Sequence, residues 1–169
     1  MAVKPNVTPL DVEATFDEEG LDARALITRT DTKGIITFAS KAYREMTKYS
    51  KDELIGKPHS IVRHPLMPEA AFREMWSTIQ KGHHWEGMVR NLRKDGKYYW
   101  VVVQIDPINE NGEIVYERPD EIAGYVAVRR EPTREEVAEA DKLYRQMRKA
   151  ELYAKQNLKD WEKEVLDQL

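Results

Sequence analysis

Strand-like runs fall into two groups with helical segments between them, and this grouping restricts the fold more than any other property of the chain. Ala25–Thr30 and Ile35–Ala39 alternate around Asp31-Thr32-Lys33-Gly34, which reads as a β-hairpin. His84–Leu92, Lys97–Ile108 and Ile122–Arg130 form the second group. Asp95-Gly96 turns the chain between the first two of these, and Asn109–Glu121, with Asn111-Gly112 near its start, makes a longer polar connection. Strands joined by tight turns are antiparallel. Between the groups, Ser40 caps a helix over Lys41–Thr47, and Ser50-Lys51-Asp52-Glu53 is a capping box that Gly56 stops. Pro68 opens a stronger helix that sets Ala71, Phe72, Met75, Trp76 and Ile79 on one face before Gly82 ends it. The order β-β-α-α-α-β-β-β predicts an α+β fold, a five-stranded antiparallel sheet with short helices on one face.

The flanks differ in composition from this middle part, residues 25–132. Residues 1–24 carry acids at Asp11, Glu13, Asp17, Glu18, Glu19 and Asp22 against Lys4 and Arg24, and Pro5 and Pro9 oppose an early helix. Leu10–Phe16 could form a short capped helix. This part reads as an N-terminal arm, with a disordered end as the plainer alternative. Residues 133–169 open on the capping box Thr133-Arg134-Glu135-Glu136 and contain no Gly or Pro. Val137, Ala140, Tyr144, Met147, Ala154, Leu158, Trp161 and Val165 recur at three- and four-residue spacing, and Glu151 interrupts that seam. Such a helix would reach roughly 50 Å. It reads as a coiled-coil or signalling helix joined to another module; the alternative is a helix folded back on its own sheet.

Charge and composition remove several function classes. The 27 basic and 30 acidic side chains give a net charge of -3, which argues against a nucleic-acid binder. The C-terminal helix is likewise balanced, so neither DNA nor an acidic membrane suits it. Cysteine is absent, which excludes disulfides, cysteine-ligated zinc, iron–sulfur clusters and thiol photoadducts, and fits a reducing, cytoplasmic setting. No apolar run approaches the roughly 18–20 residues of a membrane span, and the start has no apolar signal core. His59, His64, His83 and His84 do not have metal-ligand spacing, so no metal site is expected. A single axial histidine for a haem stays open. No nucleophile elbow, phosphate loop or dinucleotide fingerprint is present, so no catalytic residues and no enzyme activity are expected.

Two segments carry binding chemistry. In Arg63-His64-Pro65-Leu66-Met67-Pro68, the prolines hold Arg63 and His64 near a helix start, a corner favourable to an anion. The structural alternative pairs Arg63 with an acid and packs His64 in the turn. Trp85, Tyr98, Tyr99, Trp100 and Tyr125 gather in the later strands beside Asn91. Tyr99 shares a face with Val101, and Trp100 shares one with Tyr98 and Val102. An apolar slot with one polar amide suits a flat heteroaromatic ring; plain core packing is the alternative.

Taken together, the β-β-α-α-α-β-β-β order, Ile35-Ile36-Thr37-Phe38-Ala39, Tyr49–Pro58 and Arg93–Trp100 resemble a PAS sensor domain. Ile61–Pro65, Met67–Phe72, Met75-Trp76 and Trp85–Asn91 narrow this to the PAS domains of bacterial aerotaxis receptors, over about residues 22–145. The resemblance implies noncovalent FAD binding and redox or energy sensing, with output through the C-terminal helix. By position it implies that Arg63 and His64 serve flavin binding, that Trp85 lies beside the flavin and that Asn91 bonds its ring. Tyr99, Trp100 and Tyr125 would help line the pocket. The implied partners are the flavin and a second copy or a chemoreceptor-type signalling partner, reached through the arm and the long helix. Leu66 stands where these receptors usually have Asp, Ser40 where they have Asn, and Lys48 where they have Gly. A PAS dimerisation module without cofactor is the alternative reading, and a haem-based gas sensor a further one.

Overall fold

The computed structural model describes residues 7–20 and 26–167. Residues 1–6 of the arm, Ala25 of the first strand-like run and the side chains of Leu158, Trp161 and Val165 lie outside the described residues. A four-residue helix α1 (Phe16–Glu19) precedes strands β1 (Ile27–Asp31) and β2 (Ile36–Ala39). Helices α2 (Lys41–Thr47), α3 (Lys51–Leu54) and α4 (Glu69–Gln80) follow, with a 3-10 turn over His59–Val62 between the last two. Strands β3 (Trp85–Leu92), β4 (Tyr98–Ile108) and β5 (Gly124–Arg130) then lead into helix α5 (Arg134–Asp167). All pairings are antiparallel, in the order β2-β1-β5-β4-β3. The five strands, the short helices and the long C-terminal helix are those the sequence predicts.

Local chemistry sets the elements. Ser50 and Glu53 exchange the two hydrogen bonds of a capping box at α3, and the Ser40 hydroxyl accepts from the Tyr43 amide at the start of α2. Lys48 closes α2 with φ 67, a left-handed position that glycine fills without strain. Replacing Lys48 with glycine is expected to stabilise the fold by about 0.5–1 kcal/mol, read as a higher urea midpoint at unchanged slope. Gly34, at φ 83 in the first hairpin, brings the backbone so close to Trp76 that an added β-carbon would stand 3.1 Å from the indole.

The arm departs from expectation. Leu10–Thr15 is not helical; the chain there runs extended beside the start of β4, and helix α1 begins only at Phe16. The Leu10 amide donates to the Gly96 carbonyl, Tyr98 to Val12 and Ala14 to Tyr98. These bonds satisfy backbone groups that a short isolated helix would leave to water. Ala14 and Phe16 join the core.

Parity divides the sheet into two faces. Tyr99, Val101, Val103 and Ile105 of β4 face the short helices. Trp100 and Val102 face the other way, where α5 lies. Val137, Ala140 and Tyr144 of α5 are buried there. The Tyr144 ring stacks on Trp100 at 6.1 Å, and its hydroxyl donates to the Met88 carbonyl at 2.6 Å. Thus the first half of α5 folds back on its own sheet. Ala154, beyond the interruption at Glu151, is exposed. No helix among the described residues is long and apolar enough to cross a membrane.

Candidate functional site

The inner face of the sheet and the helical layer enclose a cavity of about 300 Å³, at the small end of ligand-binding sizes. Phe72, Met75, Trp76 and Ile79 of α4 form one wall, on the face the periodicity predicts. Val89 and Asn91 of β3, Val103 and Ile105 of β4, and Tyr125, Ala127 and Arg129 of β5 form the floor. The ring of Tyr125 meets that of Trp76 edge-on at 5.8 Å.

The polar end of the cavity is built by β1, β5 and the 3-10 turn. Arg129 is buried at 4% exposure and donates to His59 Nε2 at 3.0 Å, and Thr28 Oγ1 lies 3.3 Å from the same nitrogen. Burial, and then the Arg129 charge, push the His59 pKa down to about 3, so its imidazole is neutral. Arg129 forms no ion pair with a described carboxylate, and its Nε has no acceptor. With Lys33 and Arg63 it gives the cavity three cationic residues and no acidic one among those lining it. A buried cation without a counter-charge is costly, and a ligand carrying or gaining negative charge would relieve that cost.

The family comparisons agree on what this architecture is. Residues 36–117 match the PAS_3 family model, described as a PAS fold. The Aerotaxis receptor of Escherichia coli (strain K12) is 40% identical over 124 residues, 73% of this chain and 23% of that protein. The chain carries a PAS domain of the aerotaxis-receptor type. The Bacterioopsin transcriptional activator of Halobacterium salinarum is 31% identical over 110 residues, 62% of this chain and 16% of that one. The chain therefore spans less than a quarter of either relative's length. Among solved structures, the light state of the blue-light photoreceptor Aureochrome1 LOV aligns with TM-score 0.56 at 20% identity, over 81% of this chain and 99% of that one. A light-oxygen-voltage domain studied with a flavin analogue aligns with TM-score 0.55 at 19% identity, over 76% and 90% of the two chains. At such identities these structures share the fold alone.

Within the PAS domain, the residues expected around a cofactor separate. Arg63, Asn91 and Tyr125 line the cavity. Arg63 forms an isolated antiparallel bridge with Asn91, which extends the sheet by one residue past the edge strand β3 and puts both on the inner face. The Arg63 guanidinium lies 4.3 Å from the centre of the Phe72 ring, at the cavity mouth. Asn91 is 4% exposed; its amide nitrogen donates to the Tyr99 hydroxyl at 3.3 Å. Tyr99 thus stands behind Asn91 and supports it rather than lining the cavity. Trp85 shares the inner face but packs over Gly87 at the far end of β3, where an added β-carbon would sit 2.4 Å from the indole. Its buried indole N–H has no acceptor.

His64 and Trp100, expected at the cofactor, do not line this cavity. Both lie on the opposite face of the sheet, for the same reason of alternation: His64 follows Arg63 past the edge, and Trp100 follows Tyr99. The His64 ring meets Tyr98 edge-on at 6.0 Å, and its Nδ1 accepts from the Leu66 amide at 3.1 Å. Burial, then Arg90 and Arg148, push its pKa down to about 4. Arg90 lies over the Tyr98 ring at 3.9 Å and the Trp100 ring at 5.8 Å. Leu66 belongs to this outer side and does not line the cavity, so its substitution for Asp leaves the lining unchanged. Of the histidines, His59 lines the cavity with its Nε2 held by Arg129, and His64 lies outside it.

Sequence reasoning missed Arg129 and His59 as cavity groups. His59 was weighed only as a metal ligand. Arg129 sits in a strand between Val128 and Arg130, where a charge reads as solvated. The available signal was parity, because Tyr125, Ala127 and Arg129 must share one face.

Proposed function

We propose that this PAS domain binds FAD noncovalently in the inner cavity and reports its redox state through α5, as the cytoplasmic sensory part of an aerotaxis- or energy-taxis-type signalling protein. The observation that carries this reading is the cavity itself: apolar walls, three cationic residues, no lining carboxylate and a buried Arg129 with an unpaired Nε–H. Its volume of about 300 Å³ suits a flat ring system rather than a whole dinucleotide. A tail would leave past Arg63, Phe72 and Trp76, which also line an adjoining cleft with Arg73 and Lys81.

When bound, a flavin supplies reversible uptake of electrons and protons, with a ring richer in electrons once reduced. Arg129 would hold negative charge at its end of the cavity. Phe72, Trp76 and Tyr125 would fix the ring by stacking and edge contacts. Asn91 can exchange its bond to the Tyr99 hydroxyl for one to the ring, so the amide is a two-position element on an otherwise rigid floor. β5 joins this floor to α5 through the bond between Arg130 and Glu136, two contacts of 2.9 Å. The chain has no cysteine, so a thiol adduct plays no part.

The test is the absorbance of the purified chain, with chromatography of any released chromophore. A two-banded oxidised-flavin spectrum with FAD released is the expected result. A featureless spectrum that persists after incubation with FAD overturns the reading. If that colourless protein also dimerises, the cofactor-free interaction module takes its place.

A further inference from the structure

Helix α4, the wall of the cavity, begins without a cap of its own. Pro68 occupies the N-cap position and has no side-chain acceptor, so the first amides of the helix need a partner from elsewhere. Glu151 of α5 supplies it. One carboxylate oxygen accepts from the Ala70 amide at 2.9 Å and the other from the Glu69 amide at 3.2 Å. Two neighbours close the contact: Lys155 reaches the Glu69 carboxylate at 3.3 Å, and Arg148 donates to the Leu66 carbonyl at 2.6 Å. The residue that breaks the apolar seam of α5 is therefore its attachment point.

We infer that the Glu151 cap is a latch by which the cavity wall holds or releases the distal half of α5. This rests on the reading of the cavity as a sensory site and adds a contact through which the output helix reads it. The proximal half of α5 is held independently, by Tyr144 on Trp100 and Met88. Among the described side chains, the distal half, from Arg148 onward, is held to residues 66–70 by these polar bonds and little apolar contact, since Leu152 and Tyr153 are 62% and 66% exposed. Those bonds are directional. A shift of α4 by the length of one hydrogen bond breaks them, and water can then cap the helix instead. Phe72, Met75 and Trp76 follow the capped amides within two turns and line the cavity. Whatever fills or leaves the cavity acts on the helix that Glu151 caps.

Hydrogen–deuterium exchange on the full chain without added ligand tests this. In Glu151→Ala, amides of residues 69–72 and 149–157 exchange at least tenfold faster, while β3 and β4 keep their protection. Adding Pro68→Asp to that variant supplies α4 with a cap of its own. It restores protection over 69–72 and leaves 149–157 fast. Trp76→Leu, which changes the cavity wall with Glu151 intact, also speeds exchange over 149–157. Wild-type exchange over 149–157 in Glu151→Ala, or in Trp76→Leu, overturns the proposal; so does recovery of 149–157 on adding Pro68→Asp. If Glu151→Ala loses β3 and β4 protection as well, the comparison is made in Pro68→Asp alone, where a local cap displaces Glu151 and the same divergence between the two segments is required. None of these readouts needs a flavin, so a chain that binds no FAD fails the sensory reading separately.

Discussion

Acidifying from pH 7 to pH 5 is expected to lower the folding stability of this domain by about 4 kcal/mol, about 2 kcal/mol from each of two histidines. His59 is pushed down to about 3 and His64 to about 4, in both cases chiefly by burial. The unfolded chain takes up protons at the ordinary histidine value near ~6.5, while the folded chain refuses them until far lower pH. Below ~6.5 the unfolded state therefore binds more protons, and stability falls as pH falls, through the window between ~6.5 and the folded values. Glu136, held at about 2 by Arg130, acts in the same direction but only below ordinary carboxylate values, outside this range. Urea unfolding at pH 7, 6 and 5 measures the slope. His64→Asn removes about half of it, because an amide fills much of the site and does not titrate in this range. A flat profile in the wild-type chain, or an unchanged slope in the variant, contradicts the assignment.

Arg129→Met separates stability from ligand affinity by moving them in opposite directions. In the unliganded fold, the guanidinium has given up its water without gaining a carboxylate, and its Nε is unpaired. A methionine of similar reach fills the space without that desolvation cost, and Thr28 is placed to serve His59 Nε2. Replacing a buried ion pair with apolar residues of similar volume is often neutral or stabilising by about 1–4 kcal/mol, and the same direction is expected for this buried, unpaired charge. The same change removes the deepest positive charge of the cavity. FAD affinity is expected to fall at least tenfold, equivalent to about 1.4 kcal/mol, and the midpoint potential to drop because the reduced, electron-rich ring loses its counter-charge. Thermal melting without ligand, titration with FAD and spectroelectrochemistry read the three effects. Lower stability together with unchanged affinity would mean that Arg129 serves the fold, through His59, the Leu26 and Ala127 carbonyls and the Tyr43 ring.

The strands and short helices were legible because each is set by local chemistry. Ser50-Lys51-Asp52-Glu53 predicts its own capping box, and the spacing of Phe72, Met75, Trp76 and Ile79 names the buried face of α4 in advance. The arm was misread because Leu10–Phe16 takes its partners from Gly96 and Tyr98, far along the chain. Helix α5 was half legible. Its seam is visible, but whether Val137 and Tyr144 meet a second copy or their own sheet depends on Trp100 and Met88. At the site, residue types were easier to find than directions. Asn91 and Tyr125 face the cavity, whereas His64 and Trp100 are one residue out of phase. Glu151 looked like a defect in an apolar pattern because its partners lie 81 and 82 residues away.

Glu151 is also a fulcrum. Asp167, the last residue of α5, lies sixteen positions further on, a rigid arm of about 24 Å at ~1.5 Å per residue. A tilt of about 10° at the fulcrum sweeps the far end through about 4 Å, nearly half the usual spacing between packed helix axes. If the latch transmits it, a displacement at the cavity too small to disturb the sheet would be magnified to a scale on which a helix packed against that end would have to repack.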